Sequence, residues 1–391
     1  MRPPFTALHV VQPGDGGVAR VVTDVVAAQL DLGMRVAVAC PPGTPLAAAV
    51  TARGADVHPW RAGREPGPRL VAESRRITAL VGLVRPDLVH AHSAKAGLAA
   101  RIAVRGRIPT VYQPHAWSFE AVDGVTGALA TRWERWAARW TDRVICVSEA
   151  ERRRGEHAGV RAPCSVVHNG VDARRFTAGP GRAAARAALG LPPTAPLVVC
   201  VGRLCRQKGQ DLLLQAWPAV LDEVPDARLV LVGDGPAADE LRATANELHA
   251  ARRAGARRPV TFAGAVTDSA PWYRAADLAV QPSRWEGMAL APLEAMAAGR
   301  PAVLTDVDGA RESLPPGAET YCLVRPGDPA ALSGALAALL RRPVLREALG
   351  RRAQRHVLHR FDVRRAGAAI ADVYHQVAAA PRPELREPIS Q

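Results

Sequence analysis

Pro196-Leu-Val-Val-Cys-Val-Gly-Arg-Leu-Cys-Arg-Gln-Lys-Gly209 is the stretch that decides the fold. Its apolar run, Pro196 to Val201, reads as a parallel strand buried on both faces. Gly202 releases the chain at the carboxyl end of that strand, where open α/β sheets bind ligands. Arg203 and Lys208 then flank the mouth of the expected site. Further along, the strand Leu278 to Gln281 runs through Pro282-Ser-Arg-Trp-Glu-Gly287 into Met288-Ala-Leu-Ala-Pro-Leu-Glu294. Residues Ala291 to Ala298 have helical composition, with Gly299 as a stop. The amides of Met288, Ala289 and Leu290 are expected to face the same mouth as Gly202. A helix amino terminus beside two fixed cations suits a diphosphate, because unpaired N–H groups, the helix dipole and the side chains all favour anionic oxygens. Glu286 and Glu294 cannot serve a phosphate. They suit hydroxyl-rich groups at either end of one, a sugar and a ribose, and the set as a whole describes a nucleotide-diphosphate sugar.

Outward from this point, short β-branched or Leu-rich runs alternate with longer Ala/Arg/Leu stretches, the pattern of doubly wound parallel sheets. Strands are expected at Thr6 to Val11, Arg35 to Cys40, Asp56 to Trp60, Asp87 to His92, Thr110 to His115, Arg143 to Ser148 and Ser165 to His168. A second set falls at Leu197 to Val201, Arg228 to Gly233, Val260 to Ala263, Leu278 to Gln281, Ala302 to Thr305 and Tyr321 to Val324. The expected organisation is a Rossmann-like domain over residues 1–175, a Gly/Pro-rich linker over 176–196 and a second Rossmann-like domain over 197–358. A helical segment over 359–380 follows, then a disordered tail over 381–391.

The chain has 391 residues, 48% of them hydrophobic, enough for two sizeable cores. Its net charge of +14 is carried almost wholly by arginine, with Lys95 and Lys208 as the lysines. That balance favours anionic partners, an anionic membrane surface ahead of nucleic acid, for which no motif appears. The six cysteines are scattered without metal-site spacing and read as thiols in a reducing compartment. No signal peptide is read at the start, and no run approaches the roughly 18 apolar residues of a membrane helix. The reading is therefore cytoplasmic, with peripheral contact at the inner face of a membrane.

The sequence resembles the retaining, metal-independent nucleotide-sugar glycosyltransferases of the GT-B fold, family four (glycosyl transferases group 1). Their G-R-x4-K-G pattern stands here as Gly202 to Gly209, and their E-x7-E as Glu286 to Glu294. The likeness extends to Asp15-Gly-Gly17, Asp87-Leu-Val-His-Ala-His92, Gln113-Pro-His115, Val144-Ile-Cys-Val-Ser-Glu149 and His168-Asn-Gly-Val-Asp172. It implies two Rossmann-like domains facing a cleft. The second would hold the donor and the first the acceptor, with the segment over 359–380 crossing back to the first. It also implies that Arg203 and Lys208 stabilise the departing nucleoside diphosphate in place of a metal. Glu294 would accept from the ribose hydroxyls, Glu286 would orient the donor sugar, and His115 would contact the sugar or the acceptor. Gly16 and Gly17 would let the backbone approach the phosphate or acceptor. Val260 to Val266, with Phe262 and Gly264, matches the segment near which the nucleotide base rests. No cofactor beyond the donor substrate is expected.

Other readings stand beside these. The cations could form a helix-start salt-bridge cluster, and His115 a satisfied core histidine. His90 and His92 are assigned to opposite faces of their strand, so that at most one reaches the site and the two do not share a metal. Asp306-Val-Asp308 and Asp234 read as structural. Glu149 either touches the acceptor or caps the next helix. Trp133, Trp136 and Trp140, interleaved with Arg132, Arg135 and Arg139, form a membrane-interface face or pack beneath the following strand. For the whole chain, the expected activity is hexosyl transfer from a UDP-sugar, ahead of GDP-mannose, to a hydroxyl acceptor in cell-envelope polysaccharide or glycolipid synthesis. Glycosylation of a small natural product, a nucleotide-sugar 2-epimerase, a sugar phosphorylase and a non-catalytic nucleotide-sugar-binding protein are the alternatives.

Overall fold

The computed structural model describes residues 4–63, 65, 67–251 and 258–380, and the tail expected to be disordered lies outside them. The chain divides into two compact units, residues 1–169 with 363–391, and residues 170–362. The first unit is built on seven parallel strands: β1 (Thr6–Val11), β2 (Arg35–Cys40), β3 (Asp56–Pro59), β4 (Leu88–His92), β5 (Thr110–Gln113), β6 (Arg143–Cys146) and β7 (Cys164–Val166). They lie in the order β3-β2-β1-β4-β5-β6-β7. The second unit contributes six: β8 (Leu197–Val201), β9 (Arg228–Val232), β10 (Val260–Gly264), β11 (Leu278–Gln281), β12 (Ala302–Thr305) and β13 (Leu323–Val324), in the order β10-β9-β8-β11-β12-β13.

In both sheets the strand order therefore reverses beside the first strand, at β1/β4 and at β8/β11, while the strands stay parallel. At such a switch point the loops leaving adjacent strands diverge to opposite faces and open a crevice at the carboxyl ends. The central strands are buried on both sides, as their unbroken Val/Leu/Ala runs require. The expected last strand is shorter than read, because Glu319–Cys322 closes a helical turn and leaves Leu323 and Val324 to pair with β12.

Residues 176–196 differ from the expected linker. They carry the helix Arg182–Ala188 and belong to the second unit. The reason is Arg186, whose guanidinium is almost fully buried. It donates to the carbonyls of Ala275 (2.9 Å), Pro192 (3.1 Å), Pro193 (2.9 Å) and Ala195 (2.9 Å) and to Asp277 Oδ2 (2.7 Å). Asp277 also accepts from Arg182 and from the Leu197 amide. One arginine thereby fastens the proline turns that composition alone reads as loose chain.

The helix Val363–Ala379 belongs to the first unit and packs on Gly16–Asp31. Contact is close enough that a Cβ on Gly367 would overlap Ala28. Tyr374 on this helix is fully buried and stacks on Phe5. No described helix is long and apolar enough to cross a membrane.

Replacing Asp277 by Ala should leave Arg186 buried without its carboxylate and destabilise the second unit by about 3–5 kcal/mol. Chemical denaturation checks this, and an unchanged second-unit transition would refute the assigned role.

Candidate functional site

The sequence motifs converge in the second unit at the β8/β11 switch point. After β8 the chain turns through Gly202 to Gly209, and after β11 through Pro282 to Glu286. The two loops are laced together. The Arg284 amide donates to the Gln207 carbonyl (2.8 Å), Gln207 Nε2 donates to the Trp285 carbonyl (3.1 Å), and the Arg284 guanidinium grips Asp211 with two hydrogen bonds of 2.7 and 2.5 Å. That grip holds the Asp211 carboxyl below its usual range. Gly209 has φ of 68°, and a Cβ there would sit on the Pro282 carbonyl oxygen. Only glycine permits this approach. On the other side, Gly233 packs on the Gly202 carbonyl, and the Leu204 amide donates to the Asp234 carbonyl (2.9 Å). Asp234 itself accepts from the Gly235 amide beside it, a local turn bond in keeping with its structural reading.

This lacing brings Lys208 to Glu286, Nζ to Oε1 at 2.5 Å. The same oxygen accepts from Ser283 Oγ (2.7 Å), which in turn accepts from Gln281 Nε2 (2.7 Å). Thr305 Oγ1 donates to the Ser283 carbonyl (2.6 Å) and fixes the turn from β12. Arg203 is half-buried, its carbonyl bonded by Gln210 Nε2 (3.0 Å), and its guanidinium makes no ion pair or hydrogen bond among the described residues. A small recess beside Glu286 is lined by Gln281, Ala289, Asp308, Gly309 and Ser313. Within Asp306-Val-Asp308, Asp306 pairs outward with Arg311 (2.6 Å), while Asp308 borders the recess.

The helix after Gly287 runs from Leu290 to Ala297, one residue earlier than expected, with Ala289 as its N-cap. No side chain caps it. Leu290 and Ala291 supply the first-turn amides, and Pro292 supplies none. Glu294 is buried one turn in, where its Oε2 accepts from Ser269 Oγ (3.1 Å). The structure thus brings Lys208 to Glu286, sets Gly202, Arg203, Gly287, Met288, Ala289 and Leu290 on the segments that leave β8 and β11, and buries Glu294 one turn into the following helix. Phe262, on β10 at the sheet edge, lies under the Arg242 guanidinium at 5.6 Å.

In the first unit, Gly16 opens the helix Gly16–Asp31 with φ of 74°, open space where a Cβ would stand at Gly16 or Gly17, and no side-chain cap from Asp15. His115 follows β5 at φ of 57°, and Ala116 at φ of 108° is a left-handed conformation that alanine adopts only under constraint. The constraint is Glu151, fully buried, whose carboxylate accepts from the amides of Ala116 (2.7 Å) and Val147 (2.6 Å). Its own carbonyl accepts from Trp117 Nε1 (2.8 Å). Ser148, not Glu149, caps the next helix by accepting from the Glu151 amide (3.0 Å), while Glu149 pairs with Arg152.

His90 and His92 are not on opposite faces. Residues two apart on a strand share a face, and their rings lie 3.9 Å apart, centre to centre. His9 on the neighbouring β1 joins them. The ligating atoms of these three lie within 4.8 Å of one another, close enough for a metal ion. Their nitrogens are engaged with one another and with their neighbours: His9 Nδ1 with His92 Nε2 (2.9 Å), His9 Nε2 with Gln29 Oε1 (2.8 Å), His92 Nδ1 with His115 Nε2 (3.2 Å) and His90 Nδ1 with the Tyr374 hydroxyl (2.5 Å). Burial lowers His9 to about 4 and His115 to about 3, and lowers His90 and His92 well below 6.5 with neighbouring histidines adding to the effect.

Sequence reading missed His9, Gln29, Tyr374 and Glu151. A histidine inside a fully apolar strand, and the Ser148-x-x-Glu151 capping signature, were the available signals.

The family model for Glycosyl transferases group 1 matches residues 195–342, and that for Glycosyltransferase Family 4 matches residues 15–175. A D-inositol 3-phosphate glycosyltransferase of Streptomyces bingchenggensis is 35% identical over 354 residues, 85% of this chain and 77% of that protein. The lipopolysaccharide core biosynthesis mannosyltransferase LpsB of Rhizobium meliloti is 35% identical over 252 residues, 63% of this chain and 69% of its own. Among solved structures, Anabaena HepE in complex with UDP-glucose superposes with a TM-score of 0.81 at 25% identity, covering 95% of this chain and 99% of its own. The two parallel-sheet units are those of the GT-B fold. The chain belongs to glycosyltransferase family 4, the glycosyl transferases group 1, and is a glycosyltransferase.

The depressed histidines set an acid limit on stability. Unfolded histidines take up protons as pH falls through 6.5, whereas the folded rings do not. Their contribution is therefore complete above pH 6.5 and is lost as pH falls towards about 4. Each such ring contributes a slope of up to about 1.4 kcal/mol per pH unit. Denaturant titrations of the first unit from pH 7.5 to 5 should show stability falling, and a flat profile would contradict the neutral cluster.

Proposed function

We propose that this chain is a retaining, metal-independent hexosyltransferase that takes its sugar from a UDP-sugar, ahead of GDP-mannose, and passes it to a hydroxyl acceptor in cell-envelope polysaccharide or glycolipid synthesis. The observation that carries this reading is the unpaired, half-buried Arg203 guanidinium beside the Lys208–Glu286 pair and an uncapped helix start. Such a cluster disfavours a purely structural salt bridge, since one cation is left without a carboxylate. It attracts an anion carrying more than one charge. The UDP-glucose complex of HepE, the inositol phosphate acceptor named for the Streptomyces relative and the lipopolysaccharide role of LpsB support the donor and acceptor classes.

In this mechanism the nucleoside diphosphate lies against Arg203, Lys208 and the Leu290 and Ala291 amides. Engagement of Lys208 by a phosphate oxygen frees Glu286 to accept from sugar hydroxyls, while Glu294 accepts from the ribose. In the first unit His115 binds a hydroxyl, and Gly16 and Gly17 admit phosphate or acceptor. As the anomeric C–O bond breaks, negative charge grows on the diphosphate, where the two cations stabilise it. The acceptor hydroxyl adds to the same face of the sugar and gives its proton to a diphosphate oxygen. No carboxylate nucleophile and no cofactor take part.

Calorimetric titration with UDP, GDP and ADP in EDTA should show one preferred nucleotide. Arg203→Ala should weaken that binding by roughly tenfold or more, the scale of a charge-assisted hydrogen bond. No binding by any of the three would refute the reading. NMR of the product should show a retained anomeric configuration, and an inverted linkage would exclude the proposed mechanism.

A peripheral membrane contact is a second part of the reading. Along the helix Gly124–Ala137, Val125 (78% exposed), Leu129 (62%) and Trp136 (41%) follow one stripe that Arg132 interrupts, with Arg135 and Arg139 exposed beside it. The rings of Trp133, Trp136 and Trp140 pack on each other, and Arg139 lies 4.6 Å from the centre of the Trp136 ring. An apolar stripe edged by arginines suits an anionic surface. The chain should float with phosphatidylglycerol vesicles, and Leu129→Glu with Trp136→Glu should abolish that. Absence of the wild-type chain from the lipid fraction would remove the contact.

A further inference from the structure

A line of buried polar side chains runs through the first unit from the helix Gly16–Asp31 across β1 and β4 to the turn after β5. Its members are Gln29, His9, His92 and His115, joined by the contacts of 2.8, 2.9 and 3.2 Å described above. Gln29, His9 and His92 are sealed from solvent. Among the described residues Nδ1 of His115 has no hydrogen-bond partner, and it is not one of the fully sealed unpartnered atoms; the His115 side chain is part-exposed.

The direction of the line follows from donor arithmetic. A carboxamide oxygen only accepts, so His9 Nε2 must carry the hydrogen facing Gln29. A neutral imidazole has one N–H, so His9 Nδ1 is an acceptor and His92 Nε2 carries the next hydrogen. By the same step His92 Nδ1 is an acceptor, and His115 Nε2 carries the last one. Burial pushes the Tyr374 phenol up, and the neighbouring Gln29 side chain offsets part of that push. The Tyr374 hydroxyl lies 2.5 Å from His90 Nδ1, beside the line and outside it. Burial keeps all four rings neutral, as the argument requires.

We propose that Gln29, His9 and His92 form a one-directional hydrogen-bond relay that fixes His115 as its Nε2–H tautomer and presents its Nδ1 as a neutral acceptor for a ligand hydroxyl. Glu151 completes the device by holding the left-handed turn at Ala116. Gln29, His9 and His92 are positioning residues, acting through His115. The tautomer follows from the relay alone; that the hydroxyl belongs to a donor sugar rests on the proposed function. A ring held this way recognises a group that donates, and cannot itself donate to a phosphate.

The test is long-range proton–nitrogen correlation NMR of the full chain labelled with ¹⁵N-histidine at pH 7.5, with resonances assigned by single His→Asn replacements. His9, His92 and His115 should each appear as the Nε2–H tautomer. A hydrogen on Nδ1 of His115, a mixture of its tautomers or a charged ring would overturn the relay, and the wild-type spectrum decides this even if no variant folds. In Gln29→Met the acceptor is gone, and His115 should show both tautomers. In Gln29→Glu an acceptor is restored, and the single tautomer should return. A single tautomer in the Met variant, or none in the Glu variant, would also overturn it. With a transferred sugar, kcat/KM should fall roughly threefold to tenfold in Gln29→Met, the scale of one neutral hydrogen bond. UDP affinity should stay unchanged, and Gln29→Glu should restore the rate. Tautomers as expected with no transfer from any sugar nucleotide would leave the relay standing and remove the proposed function.

Discussion

The close approach of two loops at the carboxyl ends of β8 and β11 is the constraint on which the second unit's chemistry depends. Parallel strands leave all their loops pointing one way, and only at the switch point do the loops of adjacent strands part to opposite faces. Glycine at 209 lets one loop rest on the carbonyl of Pro282 in the other, and the Arg284–Asp211 fork locks the pair. Lys208 and Glu286 meet because of that geometry. Neither residue would find the other across the sheet if the loops stood even a side chain apart.

Most of the second unit's site was legible in the sequence because it is built from local signals in the right order: an apolar run, a releasing glycine, spaced cations, then a helix start behind a turn. What was not legible is relational. Residues 176–196 look like linker by composition, and only the many carbonyls that Arg186 reaches reveal them as part of a core. The Tyr321 to Val324 strand fails by half, because Glu319–Cys322 takes a helical turn before the chain pairs with β12. His90 and His92 illustrate a different failure. Their separation of two residues fixes a shared face, and a correct count along the strand would have placed them together; that His9 joins them depends on the β1–β4 register, which pairs His9 with His90.

The two switch points solve the problem of buried polarity in opposite ways. Around the second unit's crevice, charges face one another, Lys208 with Glu286 and Arg284 with Asp211, and at the other end of the same strands Arg186 faces Asp277. Each is an ion pair with added hydrogen bonds, the form in which burial of charge is tolerated. At the first unit's switch point the polar groups are neutral: three imidazoles and a carboxamide bonded in line from Gln29 to His115, and beside them His90 paired with the Tyr374 phenol. Charge near the β1/β4 strand ends would have to be desolvated without a counter-ion, and the histidines avoid that by giving up their protons. A crevice of paired charges favours an anion. A neutral line ending on an open lone pair favours a hydroxyl.

Backbone strain after β5 makes sense in these terms. Ala116 sits at a φ that a residue with a Cβ adopts only when its surroundings insist, and such conformations cost on the order of 1–3 kcal/mol. Glu151 supplies the insistence through two amides and the indole of Trp117. A relaxed turn there would swing the imidazole of His115 away from His92, because the 3.2 Å contact between their rings leaves little slack. Strain in the turn and direction in the hydrogen bonds are therefore two halves of one arrangement. The buried glutamate fixes where the ring stands, and the buried glutamine fixes which of its nitrogens is left to meet a ligand.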